Sequence, residues 1–256
     1  MSCLPKHGRV DCTACFKTKS VSFDETQQTD GNWRITANPL SWGNTEAKIV
    51  VLGFSKGANA ANASLANEPH NSIAYKTKRH NVGKILAHVG LLEKGDNTAL
   101  KIAVDKAIAD QHGQFHFSSF IRCGVERNDT KKGWVGSGGG MLDKFVDTDF
   151  GKRVAQECSS RFLGNLPPQT KLVIMFGMGT KQNYVRESYK LFQYAKPGDW
   201  RWLENDVSYT DGKITVVHVD HFAVQGPLLK QWLGEVEHKR SKYGNAAISS
   251  VVHALG

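Results

Sequence analysis

Predicted strands that alternate with predicted helices are the feature of this sequence that most restricts its fold. Stretches rich in Val, Ile and Phe predict buried strands, and the stretches between them predict helices. The predicted strands are 48–54, 115–123, 171–177 and 213–221, and the predicted helices are 80–95, 150–166, 181–195 and 226–240. This alternation predicts an α/β fold of three layers, α/β/α, with a mostly parallel central sheet.

The carboxyl edge of that sheet is where we expect a ligand site, because open parallel sheets bind ligands beyond the carboxyl ends of their strands. Three predicted loops lie at this edge: one after Gly53, one around Cys123 and one after His221. The loop after Gly53 continues as a small, amide-rich run whose backbone allows close approach. Taken alone, this run fits phosphate binding, base recognition or simple chain reversal.

Length, charge and hydropathy limit the class of protein. The 256 residues are 40% hydrophobic, and no stretch resembles a linker, so we predict a single domain, 1–256, with an N-terminal segment, 1–41, that carries a cysteine pair. The net charge of +9 favours a polyanionic partner such as nucleic acid. No apolar run approaches the roughly 20 residues of a spanning helix, and no signal peptide is evident. We therefore expect a soluble, intracellular protein without a membrane partner.

Cysteine spacing is the sharpest local signal. Cys12 and Cys15 form a CxxC pair, and Cys3 lies just upstream. Cys123 and Cys158 stand far along the chain. In an intracellular protein, a CxxC pair indicates a metal or redox site more often than a disulfide, and two distant cysteines can complete a tetrahedral centre. Alternatively, Cys123 and Cys158 are ordinary buried thiols.

A series of motifs in a fixed order carries a family resemblance. After the strand and turn at Gly53 come a helix ending in "VGLL", a strand ending in "FIRC", a long loop, a helix containing "ECSSRFLGNL", the strand "KLVIMFG" and the late "HVDHFAVQG". Over about 42–232, this order resembles the uracil-DNA glycosylase superfamily, and most of all its iron-sulfur branch, family 4. The resemblance implies a glycosylase-like fold and a DNA glycosylase of base excision repair.

The resemblance also implies a cofactor. In family 4, a cysteine pair near the amino terminus joins one cysteine at the end of the strand before the variable loop and another early in the following helix. The matching positions here are Cys12, Cys15, Cys123 and Cys158. They imply a 4Fe-4S cluster, with zinc as the alternative metal. Cys3 is then a spare thiol or an alternative ligand.

Catalytic roles are implied by the superfamily's two motifs. Cleavage of an N-glycosidic bond requires a flipped nucleotide, a positioned water and a donor to the negative charge on the departing base. The resemblance gives the last role to His221, which begins the second motif. The candidates for the water are Ser55, Asn59, Asn62 and the carboxylate of Asp220. From the residues alone, Asp220 can equally cap a turn, and the two asparagines can be turn formers.

Base and DNA contacts complete the implied site. Either Tyr75 or Phe54 would stack on the base, and Ser119 would read its edge. The base-binding candidates are Gly53, Phe54, Gly57, Tyr75 and Ser119. The DNA-binding candidates are Lys56, Lys76, Lys78, Arg79, Phe222 and Gln225. Their cations would contact phosphates and Phe222 would fill the gap left by the flipped base, although exposed basic runs are also often merely solvated.

Three functions remain open from the sequence. The first is a DNA glycosylase acting on uracil or a related deaminated or modified base, cytoplasmic and nucleoid-associated, with DNA, single strands included, as its partner. The second is a nucleic-acid-binding protein of glycosylase fold with weak or no catalysis, because Lys56, Ser119 and Ala223 depart from the superfamily motifs. The third is an unrelated zinc-containing α/β nucleotide hydrolase. The oligomeric state stays open.

Overall fold

A mixed β-sheet forms the centre of the fold. The computed structural model describes residues 4–18, 20–56, 68–136, 141–224 and 226–256. Its strands are β1 (Gly8–Arg9), β2 (Gln27–Asp30), β3 (Trp33–Thr36), β4 (Leu40–Gly43), β5 (Ile49–Lys56), β6 (Phe115–Asp129), β7 (Gly133–Gly136), β8 (Leu172–Phe176), β9 (Arg201–Trp202), β10 (Ser208–Thr210) and β11 (Thr215–Val219). They pair in the order β1-β4-β6-β5-β8-β11-β10-β9, while β3 and β7 also pair with β6, and β2 pairs with β3.

The four central strands, β6, β5, β8 and β11, run parallel to one another. They are the four strands that the apolar runs predict, and their residues are buried almost throughout, as strands covered on both faces require. The predicted α/β fold with mostly parallel core strands is therefore confirmed. The flanking strands pair antiparallel, a feature that the sequence did not predict because most of them are short or half-exposed.

Helices cover both faces of this sheet. They are α1 (His70–Ile73), α2 (Arg79–His88), α3 (Asn97–Ala109), α4 (Met141–Val146), α5 (Asp149–Leu163), α6 (Asn183–Ala195), α7 (Leu228–Trp232) and α8 (Ser241–Leu255). Successive strand residues point to opposite faces. On β6, the ring of Phe117 contacts Tyr75, which precedes α2, whereas the ring of Phe120 contacts Phe192 of α6. The three-layer arrangement is therefore confirmed.

Two helical regions differ from the sequence prediction. The predicted helix 226–240 ends at Trp232, because Gly234 adopts a φ of 73° and the Glu235 N–H closes the turn on the Lys230 carbonyl. The chain then forms α8, which the sequence did not predict. Helix α3 was also not predicted, although the Asp96 side chain caps it by accepting from the Ala99 N–H.

A continuous core joins these layers. Its buried side chains extend from Leu4 in the N-terminal segment to Val251 in α8. The N-terminal segment therefore packs into the same core as the sheet, which places its cysteine pair against the body of the protein. No helix in the described ranges has both the length and the hydropathy needed to cross a membrane.

Candidate functional site

Four cysteines from three distant parts of the chain line one cavity. Cys12 and Cys15 lie between β1 and β2, Cys123 lies in β6, and Cys158 lies in α5. Each is a free thiol, half-buried in the case of Cys12 and buried in the other three. The backbone N–H of Arg122 donates to the Sγ atom of Cys158 at 3.4 Å, which ties the helix to the strand. The fold thus brings together the four cysteines that the resemblance implies as ligands.

Burial makes these thiols weak acids. It raises the pKa of Cys158 to about 11 and that of Cys15 to about 12, and the neighbouring thiols add to the effect at Cys15. Burial, followed by Cys158 and Cys15, also raises the pKa of Cys123. A thiolate at such a site needs a cationic partner, and soft thiolate ligands select zinc, Cu(I) or iron-sulfur clusters.

The types of side chain around this cavity limit which metal group it can hold. One zinc ion holds its thiolates at about 2.3 Å from a common centre. Within the described ranges, no three His, Cys, Asp or Glu side chains form a group that could hold a metal ion. In an iron-sulfur cluster, each cysteine binds a different iron, so the sulfur atoms lie further apart. By ligand type, the four thiols that line this cavity suit either zinc or an iron-sulfur cluster.

A buried guanidinium borders the same cavity. Arg122 is 2% exposed, and its guanidinium stacks on the ring of Phe162 at 4.2 Å. Its Nη1 donates to Ser118 Oγ, whereas Nε and Nη2 have no partner among the described residues. Burial lowers the pKa of Arg122 to about 10, so the side chain stays charged at neutral pH. The cavity is therefore bordered by a positive charge without a described counter-ion.

The carboxyl ends of the central strands form the second candidate region. Gly53 of β5 lies opposite Ser119 of β6, and β8 and β11 end at the same edge, where Phe176 lies opposite Val219. A Cβ atom placed on Gly53 would meet no described atom within 4 Å. The structure thus brings together two of the predicted base-binding residues at the carboxyl edge of the sheet.

His221 directly follows β11 at this edge. The N–H of Ala223 donates to its Nδ1 at 3.1 Å, and its ring stacks on Phe222 with 4.4 Å between the centroids. Burial lowers the pKa of His221, and the nearby Asp220 opposes this shift. A neutral imidazole that accepts a hydrogen bond at Nδ1 carries its proton on Nε2. His221 therefore presents Nε2–H as a hydrogen-bond donor.

Asp220 is paired inside the protein. Its Oδ1 accepts from Arg240 Nη2 at 2.7 Å and from the His221 N–H at 2.9 Å, and its Oδ2 accepts from Arg240 Nε at 3.2 Å. The pair joins the loop after β11 to the start of α8, since Arg240 precedes Ser241. These contacts favour a positioning role for Asp220 over the predicted role of orienting water.

Tyr75 and Phe222 meet in an aromatic cluster beside His221. Their ring centroids lie 4.9 Å apart, and both rings contact Phe176, at 5.8 Å and 5.1 Å. Asn81 Nδ2 also donates to the Phe222 carbonyl at 2.9 Å. Phe222 packs against the core in this structure, because contact with apolar neighbours removes its ring from water. The predicted role of Phe222 as a wedge into DNA is therefore not supported.

The two alternatives for base stacking lie on opposite faces of the sheet. Phe54 contacts Tyr184 of α6 and Phe145 of α4, on the face away from Tyr75. Gly53 points to the other face because it precedes Phe54 in the same strand. Tyr75 therefore shares a face with Gly53 and is the better candidate. Ser55 lies half-buried further along β5, opposite Ile121.

Two of the predicted phosphate contacts are buried cations. Lys56 is 6% exposed, its Nζ donates to the Asn38 carbonyl at 2.7 Å and lies 3.8 Å from Asp24 Oδ1, and burial lowers its pKa to about 8. Arg79 is 8% exposed and donates to Asp105 and to two backbone carbonyls. Both cations are bonded inside the protein, so their burial argues against the predicted phosphate contacts.

The other predicted DNA contacts have different positions. Lys76 and Lys78 are exposed in a 3-10 turn that directly follows Tyr75, and Lys76 pairs with Glu68. Their place beside Tyr75 keeps them as candidates for backbone contact. The remaining candidates, Gly57, Asn59, Asn62 and Gln225, lie outside the described residues, as does Cys3.

Arg122 and Arg240 are site residues that the sequence did not single out. Arg122 has a local signal, because it is a charged residue within an apolar strand and directly precedes a candidate ligand. Arg240 has no such signal, since it lies 20 residues beyond its partner Asp220. His218, by contrast, is a core histidine, fully buried with its Nδ1 donating to the Gly177 carbonyl.

Fold and sites together define an α/β protein with His221, Ser119 and Tyr75 near the carboxyl edge of its sheet and with a four-cysteine cavity. No protein-family model matches the chain, and no curated protein matches its sequence. Among solved structures, SMUG2 from Pedobacter heparinus, a member of the uracil-DNA glycosylase superfamily, is similar at 11% identity and a TM-score of 0.38. The alignment covers 82% of this chain and 76% of SMUG2. Similarity at this level does not define a shared function.

Proposed function

We propose that the protein is a DNA glycosylase that hydrolyses the N-glycosidic bond of uracil or a related deaminated or modified base. The observation that carries this proposal is the state of His221: a neutral imidazole with its proton on Nε2, at the carboxyl edge of the sheet. Breaking the glycosidic bond leaves its electron pair on the base, and a donor already in place stabilises that charge without reorganisation.

The other residues of this edge supply binding and exclusion of water. The flipped base would bind beside Gly53 and stack on Tyr75, which lies on the same face of the sheet. Ser119 lies opposite Gly53 and offers one hydroxyl, which donates and accepts one bond at a time to the edge of the base. His221 Nε2–H then donates to the base oxygen on which negative charge develops. A water adds its hydroxyl to the sugar, and its proton neutralises the base.

The position of Asp220 supports a second candidate function. Its carboxylate is engaged by Arg240, so it is not a ready acceptor for the attacking water. The second candidate is therefore a nucleic-acid-binding protein of the same fold with weak or no turnover. The net charge of +9 and the exposed Lys76 and Lys78 suit this candidate as well as the first.

For the four-cysteine cavity, we propose a 4Fe-4S cluster held by Cys12, Cys15, Cys123 and Cys158. The four thiols that line one cavity and the unpartnered Arg122 beside them support an anionic metal–thiolate occupant. When bound, the cluster would link the N-terminal segment to β6 and α5, and the hydrolysis described above does not use it. Zinc is the alternative metal for the same four thiols.

The test uses protein purified without oxygen and single-stranded oligonucleotides that each carry one uracil, hypoxanthine or xanthine. We expect abasic product, detected by strand cleavage in alkali, with at least one of these bases. His221→Ala should lower the single-turnover rate by about 10²–10³-fold, because it removes one donor to the developing charge. His112→Ala, at an exposed histidine before β6, is the matched control and should retain the rate.

Two other outcomes would change the proposed function. Binding of the oligonucleotides that weakens with salt, without abasic product, would favour the second candidate. Full activity of His221→Ala on a base that the wild type removes would overturn the assigned role of His221.

A further inference from the structure

The protein contains two buried arginines whose environments differ. Arg79 donates to the Asp105 carboxylate and to the carbonyls of Ala74 and Asn71, so its charge and its donors are satisfied. Arg122 is more deeply buried, and only its Nη1 has a described hydrogen-bond partner, Ser118 Oγ. A buried charge without a partner is strongly destabilising. An anion beside Arg122 would remove that cost.

The surroundings of Arg122 restrict where this anion can lie. One side of the guanidinium is covered by the Phe162 ring, and Nη1 is taken by Ser118. Arg122 also lines the four-cysteine cavity, together with Glu157 and Arg161, which are both exposed. Because Glu157 is exposed and makes no described ion pair with Arg122, it does not supply the missing charge.

The groups next to the cysteine sulfur atoms also favour negative charge on those atoms, as the Arg122 guanidinium does. The Arg122 N–H donates to Cys158 Sγ, and the Asn38 backbone opposes the rise in the pKa of Cys123. Hydrogen bonds and positive charge next to metal-bound sulfur stabilise the more negative state of the centre and raise its reduction potential. The cavity is therefore built for a group whose negative charge is concentrated on its sulfur atoms.

We propose that Arg122 is the counter-ion of the anionic metal–thiolate group held by the four cysteines, where it slows loss of the metal and raises the reduction potential of the group. This inference rests on the cluster proposed above. It assigns Arg122 a positioning and tuning role, separate from the residues at the carboxyl edge.

The experiment compares wild type with Arg122→Met, Arg122→Lys and Arg79→Met, all purified without oxygen. Iron and sulfide per chain, visible absorbance, the rate of iron loss to a chelator and the midpoint potential from a dithionite titration are measured. Arg122→Met should lose iron about 10–100-fold faster, as expected when a partner next to the ligands is removed, and should have a lower midpoint potential. Arg122→Lys should lie closer to wild type, because it retains the charge.

Arg79→Met is the matched control for removing a buried arginine. It should lower the thermal stability and leave the midpoint potential unchanged, because its charge is paired with Asp105. If Arg122→Met is too unstable to bind iron, the midpoint potentials of Arg122→Lys and Arg122→Gln are compared instead, because they differ in the same charge.

The outcomes separate this inference from the proposed cofactor. A wild type that holds iron, with the same potential and iron-loss rate in Arg122→Met, would overturn the role of Arg122 and leave the cluster standing. A wild type that binds no iron or zinc after reconstitution would overturn both. A zinc-loaded wild type whose Arg122→Met variant releases zinc faster would retain the counter-ion role and remove the cluster.

Discussion

The four-cysteine cavity and the carboxyl edge of the sheet differ in how their charges are balanced. At the carboxyl edge, Asp220 is paired with Arg240. Beside the cavity, Arg122 has no described counter-ion. Where the charges already pair with each other, as Asp220 and Arg240 do, the site keeps its arrangement without a ligand, and a ligand must bring its own polar groups. An unbalanced buried charge, in contrast, indicates that an oppositely charged group belongs to the folded protein.

The largest effect that we expect tests the cavity side of this comparison. Cys158→Ser should abolish iron binding and lower the free energy of unfolding by several kcal/mol, which corresponds to a fall in Tm of roughly 10 °C, because metal binding contributes directly to folding. Iron analysis and differential scanning calorimetry of the anaerobically purified variant are the measurements. Cys3→Ser is the control and should keep its iron. Retention of full iron by Cys158→Ser would remove Cys158 from the ligand set.

Acid pH should destabilise the folded protein through two buried histidines, His116 and His218. Burial lowers the pKa of His116, on the same face of β6 as Arg122, to about 3, and that of His218, below the carboxyl edge, to about 4, against an ordinary 6.5. Between these values and 6.5 the unfolded chain binds protons that the folded protein does not, so stability falls as the pH drops below 6.5.

We expect a loss of about 2–5 kcal/mol between pH 6.5 and pH 4.5, from about 1.4 kcal/mol per pKa unit. Urea unfolding at several pH values measures it. His218→Gln and His116→Gln should each flatten the dependence, and a stability that stays constant over this interval would contradict the prediction.

A smaller effect should follow from breaking the ion pair at the carboxyl edge. Arg240→Gln leaves the buried Asp220 carboxylate without its bidentate partner and should cost about 2–4 kcal/mol of folding free energy. Adding Asp220→Asn should recover part of this loss, since the unpaired charge is then gone. Chemical denaturation of the single and double variants gives both values; a double variant as unstable as the sum of the two single variants would show that the residues do not interact.

The smallest expected effect distinguishes two glycines at the carboxyl edge. Gly177 has a φ of 105°, and a Cβ there would lie 3.0 Å from the Tyr184 ring, so Gly177→Ala should cost about 1–3 kcal/mol. Gly53→Ala should change stability by less than about 0.5 kcal/mol and weaken oligonucleotide cleavage, because its Cβ would enter the space beside Ser119. Equal stability losses in the two variants would contradict the presence of that space.

The sequence predicted the cavity better than the carboxyl edge. A cysteine pair and two single cysteines offer few alternatives, because a thiol in such a pattern has few roles other than metal binding or burial. Lys56 and Arg79 were predicted as phosphate contacts, yet both are buried, since a basic residue has the same local pattern whether its charge meets solvent or an internal partner. The same ambiguity applies to Phe222, which packs beside Tyr75.

Local sequence pattern is enough to specify the α/β layering and the CxxC pair, because strand and helix periodicity and the Cys12–Cys15 spacing are properties of neighbouring residues. Cys123 and Cys158 were assigned as ligands only through the family resemblance. Packing between distant segments specifies the rest. It places Arg122 at the cysteine cavity, pairs Arg240 with Asp220, and directs the proton of His221 to Nε2 through the Ala223 N–H. These features depend on burial and hydrogen-bond partners, which a chain acquires only when its remote parts come together.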